Sequence, residues 1–351
     1  MVGKLKDLLG KMDGVFLTSP HSLRYFTGFS GGEGVALIGK TEKFLFVDSR
    51  YTEAAKNEAK NFTVIEFGSG TRTKEIGRRM TDLNIKRLGY EEAELTVADY
   101  HGFQKGLPDA EWVGCSRELT GLRMVKTEEE LQALRTAEQI GVDAFLAVLP
   151  QIRVGMTENE LAAELEYQMR KRGSEGTSFE TIAISGKKTS MPHGRPDDKK
   201  LEPGDFVTMD FGCRYRGYCS DMTRTVVLGK ASEEQKKIYE TVKHAQGAGL
   251  SAIRAGVMGK EADGMARAVI ADAGYGNYFG HSLGHGVGLQ IHELPNLSPM
   301  SETVLQPGMV VTCEPGIYIP DLGGVRIEDM VCVTQNGYEN LTLLSKELLE
   351  L

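Results

Sequence analysis

The sequence predicts an α/β (α+β) chain of two domains: an α/β domain over residues 1–120, then a second domain over 121–351 built from two duplicated halves. Three observations predict it. The length of 351 residues suits about two domains at roughly 150 residues each. Short apolar, β-prone runs alternate with helical patterns as far as residue 112. Beyond that point a block of sequence occurs twice.

In the first domain the strand-like runs are Val15-Phe16-Leu17, Val35-Ala36-Leu37-Ile38, Phe44-Leu45-Phe46-Val47 and Val64-Ile65. Helical patterns cover Tyr51–Lys60 and Arg72–Leu83. Gly28-Phe29-Ser30-Gly31-Gly32-Glu33-Gly34 fits neither G-x-G-x-x-G nor a P-loop, so it reads as a turn. The pattern breaks over Cys115–Lys126. A long helix then begins at Thr127, where Thr127 and Glu130 form a capping box.

The duplication carries the second domain. Leu201-Glu-Pro-Gly-Asp-Phe-Val-Thr-Met-Asp210-Phe-Gly212 aligns with Leu305-Gln-Pro-Gly-Met-Val-Val-Thr-Cys-Glu314-Pro-Gly316, with six of twelve positions identical. Upstream, Arg153, Gly155, Glu160 and Gly173 match Arg254, Gly256, Glu261 and Gly274. Each half reads as two helices followed by two strands. The unit is too long for a solenoid, so two half-domains related by a pseudo-two-fold are expected, with a site at their junction.

Composition narrows the function. A net charge of −8 argues against a broad nucleic-acid-binding surface. No apolar run reaches 18 residues, and Met1–Lys11 has no apolar h-region, so neither membrane insertion nor secretion is expected and the chain reads as cytoplasmic. Cys115, Cys213, Cys219, Cys313 and Cys332 include no C-x-x-C pair and read as small buried hydrophobes. Without a secretion signal, the N-x-[ST] matches at Asn61 and Asn340 carry no weight.

The chemistry-bearing residues follow from the duplication. Val207–Val226 reads as a hairpin turning near Tyr215–Gly217, which sets Asp210 opposite Asp221 with Val207, Met209 and Phe211 on the core face. Bare like charges directly opposed are destabilising, and a bound cation removes that cost. In the second half, Met309–Ile319 and Gly324–Val333 read as strands that bring Glu314 and Glu328 together. Between the hairpins, His281, His285 and His292 fall within twelve residues among Gly284, Gly286 and Gly288. One imidazole with four carboxylates suits two Mn, Co, Fe or Zn ions better than one structural zinc. Two rival motifs fail. Gly280-His-Ser282-Leu-Gly284 resembles a nucleophile elbow, but it lacks the preceding strand, the following helix and the triad order. His292-Glu293 begins like H-E-x-x-H, but no second histidine follows and Pro295 would break the helix.

With these residues in view, the second domain resembles the metal-dependent pita-bread peptidases of family M24, the group of methionine aminopeptidase, aminopeptidase P and prolidase. His281 to Glu293 fits the proline-peptidase signature, and Asp210, Asp221, His285, Glu314 and Glu328 follow the family's order and spacing. The first domain is similar to the creatinase/prolidase N-terminal domain, notably at Arg24-Tyr-Phe-Thr-Gly-Phe29. The resemblance implies a creatinase/prolidase-type N-terminal domain followed by a pita-bread catalytic domain.

It also implies a site. Asp210 would bind one divalent ion, His285 and Glu314 the other, and Asp221 and Glu328 both. Mn²⁺ or Co²⁺ is expected in each subunit, with Zn²⁺ or Fe²⁺ as alternatives. A hydroxide shared by the ions would attack the scissile carbonyl, with Glu314 handling the proton and His292 meeting the carbonyl or its oxyanion. His193 and His281 would line the substrate site, Arg326 would hold the bridging carboxylates, and Tyr318 would either support that network or merely pack. The expected activity is hydrolysis of the N-terminal Xaa-Pro bond of short peptides, as an Xaa-Pro aminopeptidase or an Xaa-Pro dipeptidase, by a homodimer. The alternatives are a peptidase of the same fold without proline preference and a catalytically silent peptide- or protein-binding member.

Overall fold

The computed structural model describes residues 2–351. The chain divides into two units, the first ending at Leu122 and the second beginning at Arg123. Among the described residues no helix is long and apolar enough to cross a membrane. All five cysteines are free and buried.

In the first unit six strands make one sheet, in the spatial order Thr63–Glu66, Lys43–Val47, Val35–Gly39, Gly14–Leu17, Arg87–Tyr90, Glu111–Gly114. Gly14–Leu17, Val35–Gly39 and Lys43–Val47 pair antiparallel, and the outer strands pair parallel. Val15 to Leu17 and Phe44 to Val47 are buried without alternation, as strands covered on both faces require. Gly28, at φ 83°, ends the helix Pro20–Thr27 and starts the glycine-rich turn. Beyond the apolar runs, the structure adds the strands Arg87–Tyr90 and Glu111–Gly114 and the helices Lys6–Lys11, Pro20–Thr27 and Val97–Gly106. Arg87-Leu-Gly-Tyr90 offers little periodicity. Its place is fixed instead by aromatic packing: Tyr90 and Tyr100 stack on each other and meet Trp112, which with Phe103 packs on Phe16. The expected break over Cys115–Lys126 contains the helix Ser116–Met124.

The second unit bears out the duplication in its backbone. Its halves begin with the helix pairs Glu128–Val148 and Glu158–Lys171, and Glu233–Ala252 and Gly259–Asp272. Gly155 N–H donates to Leu201 O at 2.9 Å, and Gly256 N–H donates to Leu305 O at 2.9 Å. Gly204 and Gly308, the matched Pro-Gly turns, have φ of 88° and 86°, a conformation that costs glycine nothing. The first half builds a sheet ordered Met222–Val227, Phe206–Phe211, Ile182–Ser185. The second builds one ordered Glu293–Leu297, Gly284–Gly286, Val310–Cys313, Asp329–Val333, Tyr338–Asn340.

Alternation within the strands decides what faces the site. Val207, Met209 and Phe211 pack with Ala137, Phe145, Leu161 and Leu165 of the covering helices, and each such burial contributes about 1.5–3 kcal/mol. Thr208 and Asp210 point the other way yet are also buried, because the second half covers them. The halves join where Glu328 N–H donates to Thr223 O and Arg326 N–H donates to Thr225 Oγ1.

Two details of the hairpins differ from expectation. In the first, Asp210 pairs with Thr223, not Asp221. The turn is Arg216-Gly217, both at positive φ (49° and 78°), as a two-residue type I′ connection requires. The slip is two residues, so Asp221 becomes the diagonal neighbour of Asp210 on the same face. In the second, neither long strand is continuous. Val310–Cys313 and Gly316–Ile319 are separated at Glu314-Pro315, and Gly323–Arg326 and Asp329–Val333 at Ile327-Glu328. Pro315 has no N–H for the ladder. The register is nonetheless the same on both sides of the break, so Glu314 and Glu328 sit at one level.

Candidate metal centre

A cavity of about 610 Å³ lies in the second unit, and Asp210, Asp221, His285, Glu314 and Glu328 all line it. Asp210 comes from a strand, while Asp221, Glu314 and Glu328 come from the gaps just beside strands, where the backbone is free to turn a carboxylate inward. His285 sits on the short strand Gly284–Gly286. Ligand atoms of Asp221, His285 and Glu328 lie within 4.8 Å of one another. His285 Nε2 is 3.5 Å from Asp221 Oδ2 and 3.3 Å from Glu314 Oε1. Its Nδ1 meets Gly286 O at 3.1 Å. A carbonyl only accepts, so Nδ1 carries the hydrogen and Nε2 is turned to the carboxylates.

The electrostatics call for a cation. Burial, followed by the charges of Glu328 and Asp210, pushes the Asp221 carboxyl well above its usual range. Burial, followed by Glu314 and Asp210, does the same to Glu328. Burial also raises Asp210, despite the Arg326 guanidinium beside it. Glu314 behaves differently: burial would raise it, but the hydrogen bond and charge of His285 outweigh burial and bring it down to about 2. His285 is raised by the same contact, against its own burial. Asp210 Oδ1 and Glu328 Oε1 are buried with no hydrogen-bond partner, which is costly unless something else supplies the charge they face. Four carboxylates and one imidazole, with two orphaned oxygens, fit divalent cations.

Around this cluster runs a chain of hydrogen bonds. Arg326 donates to Asp210 Oδ2 from Nη2, to Thr223 Oγ1 from Nε at 3.1 Å and to Tyr318 OH from Nη1 at 2.8 Å. His281 Nδ1 meets Ser282 O at 2.8 Å, so that nitrogen carries the hydrogen and Nε2 accepts from Tyr318 OH at 2.9 Å. Both His281 nitrogens are therefore engaged. His193 and His292 line the same cavity, and the His292 ring stands edge-on to His285 at 4.4 Å between centroids. The structure thus gathers all nine of the sequence's candidate residues, and it makes Tyr318 a link rather than simple packing.

Other supporting residues lie outside that candidate set. Thr223 Oγ1 donates to Glu328 Oε2 at 2.6 Å. Thr312 Oγ1 donates to Glu314 Oε1 at 3.0 Å and accepts the His285 N–H at 3.1 Å. Glu138 accepts the Asp221 N–H at 3.2 Å and the Thr342 hydroxyl at 2.6 Å. Burial brings Glu138 up to about 7. Thr312 is two residues from Glu314 on one face, and Glu138 interrupts the buried stripe Leu134–Glu138–Val142. Both signals are readable in the sequence.

Residues 132–335 match the profile of Metallopeptidase family M24. The chain belongs to this family. All nine candidate residues fall inside the matched M24 region, and residues 4–125 match the Creatinase/Prolidase N-terminal domain. The chain is 42% identical over 339 residues to the Xaa-Pro dipeptidase of Pyrococcus furiosus, covering 96% of this chain and 95% of that one. Its structure is similar to that of the Xaa-Pro dipeptidase from Bacillus anthracis, with 44% identity, a TM-score of 0.96, and coverage of 100% and 99% of the two chains. It is also similar to the X-Pro aminopeptidase from Thermotoga maritima, with 39% identity, a TM-score of 0.93 and coverage of 99% of each chain. As an M24 member the protein is a hydrolytic metallopeptidase that works with divalent metal ions.

Proposed function

We propose that the protein hydrolyses the bond between an N-terminal residue and a following proline, with dipeptides as its main substrates. The observation that carries this is the convergence of Asp210, Asp221, His285, Glu314 and Glu328 on one cavity, with orphaned oxygens on two of them. The relatives named Xaa-Pro dipeptidase support the substrate class. Arg195 supports the dipeptide. It lines the cavity and pairs with Glu180 at 3.0 Å, whereas Arg326 is already engaged with Asp210, Thr223, Tyr318 and the Pro192 carbonyl. Arg195 is thus a guanidinium with donors left to meet a free substrate carboxylate.

Two divalent ions, Mn²⁺ or Co²⁺, held by the five ligands would supply a nucleophilic water at neutral pH and a Lewis acid for the scissile carbonyl. The chain's own groups do the rest. Thr312 fixes Glu314 Oε1, leaving Oε2 to take the proton of the water and return it to the leaving proline nitrogen. His292 donates a hydrogen bond to the carbonyl oxygen as charge develops there. His193 holds substrate at the cavity wall. Arg326 keeps Asp210 aimed, and Tyr318 and His281 keep Arg326 in place. His281, with both nitrogens engaged, therefore positions its neighbours rather than carrying protons.

The test uses enzyme stripped by chelator and reloaded with Mn²⁺ or Co²⁺. It receives an Xaa-Pro dipeptide, an Xaa-Pro-Yaa-Zaa tetrapeptide and an Xaa-Ala control. Metal-dependent cleavage of the dipeptide alone is expected. Cleavage of the tetrapeptide after its first residue would make the protein an aminopeptidase. Cleavage of the control would remove the proline preference, and no turnover with metal bound would point to a binding member. His292→Ala is expected to retain both ions while kcat falls about 10²–10³-fold. A change confined to KM would contradict the role given to His292.

A further inference from the structure

Lys126 precedes the helix Glu128–Val148, and Glu293 opens the strand Glu293–Leu297. Their side chains meet in the interior: Lys126 Nζ lies 2.7 Å from Glu293 Oε1, with side-chain exposures of 1% and 2%. Glu293 Oε2 faces Arg123 Nε at 4.0 Å, and Arg123 Nη2 donates to Gln290 Oε1. Taking such charges out of water is expensive, and apolar side chains of similar volume stabilise a fold as well or better. Stability alone does not account for the pair.

Its position does. Between Gly288 and Glu293 the chain makes a short loop that bears His292. A Cβ on Gly288 would lie 2.3 Å from Glu293 Oε1, so the Glu293 carboxylate rests on the start of its own loop. Gly288 N–H donates to Gln290 O at 3.0 Å, and Gly288 O accepts the Cys219 N–H at 2.8 Å. The cations are anchored in turn: Lys126 N–H donates to Gly308 O at 2.9 Å, and Val125 bridges to Met309. Arg123 thus grips the loop at Gln290, and Lys126 grips it at Glu293. His292 lies between the two grips, and its side chain makes no hydrogen bond among the described residues. The backbone of the loop and the ring contact with His285 set where it points.

We infer that the buried Lys126–Glu293 ion pair, with Arg123 on Gln290, is the positioning device for His292 in the reaction. This rests on the role proposed above for His292. Lys126 and Glu293 touch no substrate and act through the loop.

The test is the double variant Lys126→Met/Glu293→Gln in the metal-loaded enzyme, which removes both charges together. The His292 imidazole resonance, assigned by its loss in His292→Ala, is expected to shift while that of His193 stays. Metal content is expected to be unchanged and KM to hold within about twofold. The kcat value should fall about tenfold, short of the roughly hundredfold that a 1 Å misplacement can cost. In the His292→Ala background the same double change should cost less than about twofold, because its route of action is gone. An unmoved His292 resonance would overturn the inference, as would a full tenfold loss in the His292→Ala background. Should the double variant not fold, Glu293→Gln alone, nearly isosteric, carries the same readouts. Should His292→Ala leave kcat unchanged, the reaction scheme fails, and the resonance still decides the positioning.

Discussion

Glu314→Ala is expected to lose bound metal and to lower turnover by about 10³–10⁴-fold. Two effects combine. The substitution removes a candidate ligand whose Oε1 accepts the Thr312 hydroxyl and lies 3.3 Å from His285 Nε2. It also removes the proton acceptor, and general acid–base groups contribute about 10²–10⁴-fold by themselves. Glu314→Gln separates the two. It retains an oxygen for the Thr312 hydroxyl but cannot take a proton, so its metal content should stay closer to the parent while its turnover stays low. Metal is measured by elemental analysis after gel filtration, and turnover with an Xaa-Pro dipeptide. If Glu314→Ala kept both ions and more than about a tenth of the activity, Glu314 would be neither ligand nor base.

How far the sequence reaches is clearest at the two hairpins. Asp210 and Glu314 stand at matched positions of a repeat, and the repeat made four scattered acids a candidate constellation before any fold was known. The register of the first hairpin was not readable, because Arg216-Gly217 is a weaker turn signal than Asn-Gly or Asp-Gly. The candidate site survived the error because the slip was even. A shift of one residue would have turned Asp221 to the other face. Pro315 marks the break at Glu314-Pro315, but the flanking apolar residues keep their alternation across it, so the pattern alone reads as one continuous strand. The groups around the cluster were hidden for another reason. Thr223 reaches Glu328, and Glu138 reaches Asp221 and Thr342, across long stretches of chain; local pattern can mark Glu138 as buried but cannot name these partners. The strands Arg87–Tyr90 and Glu111–Gly114 were equally out of reach, because their placement comes from aromatic packing rather than from their own pattern.

Arg224→Met is expected to destabilise the second unit by about 3–5 kcal/mol and to lower metal affinity about 10–100-fold. Arg224 belongs to the strand Met222–Val227 of the first half, yet its guanidinium serves the second. It donates to Asp329 Oδ1 at 2.8 Å, to the carbonyls of Glu328 and Thr223 at 2.6 and 3.0 Å, and to those of Leu344 and Ser345 at 3.0 and 3.1 Å. All five donors are used, and the residue is 2% exposed. Removing it takes a donor from the buried Asp329 carboxylate and from the buried carbonyls of Thr223 and Glu328 at the seam between the halves. Lys346 and Asn340 still reach Asp329 Oδ2, at 2.8 and 3.0 Å, so the loss should fall toward the lower end of the range. A loss of about 3 kcal/mol moves Tm by about 6–12 °C in a unit of this size. The metal effect follows from the Glu328 carbonyl, which Arg224 holds while Thr223 holds the Glu328 carboxylate. Asp329→Asn added to Arg224→Met removes the stranded charge and should restore part of the stability. It should not restore the metal affinity, since the Glu328 carbonyl still lacks its Arg224 donor. If both recovered together, the seam would act on the metal centre only through global stability, and the separate positioning role of Arg224 would be wrong.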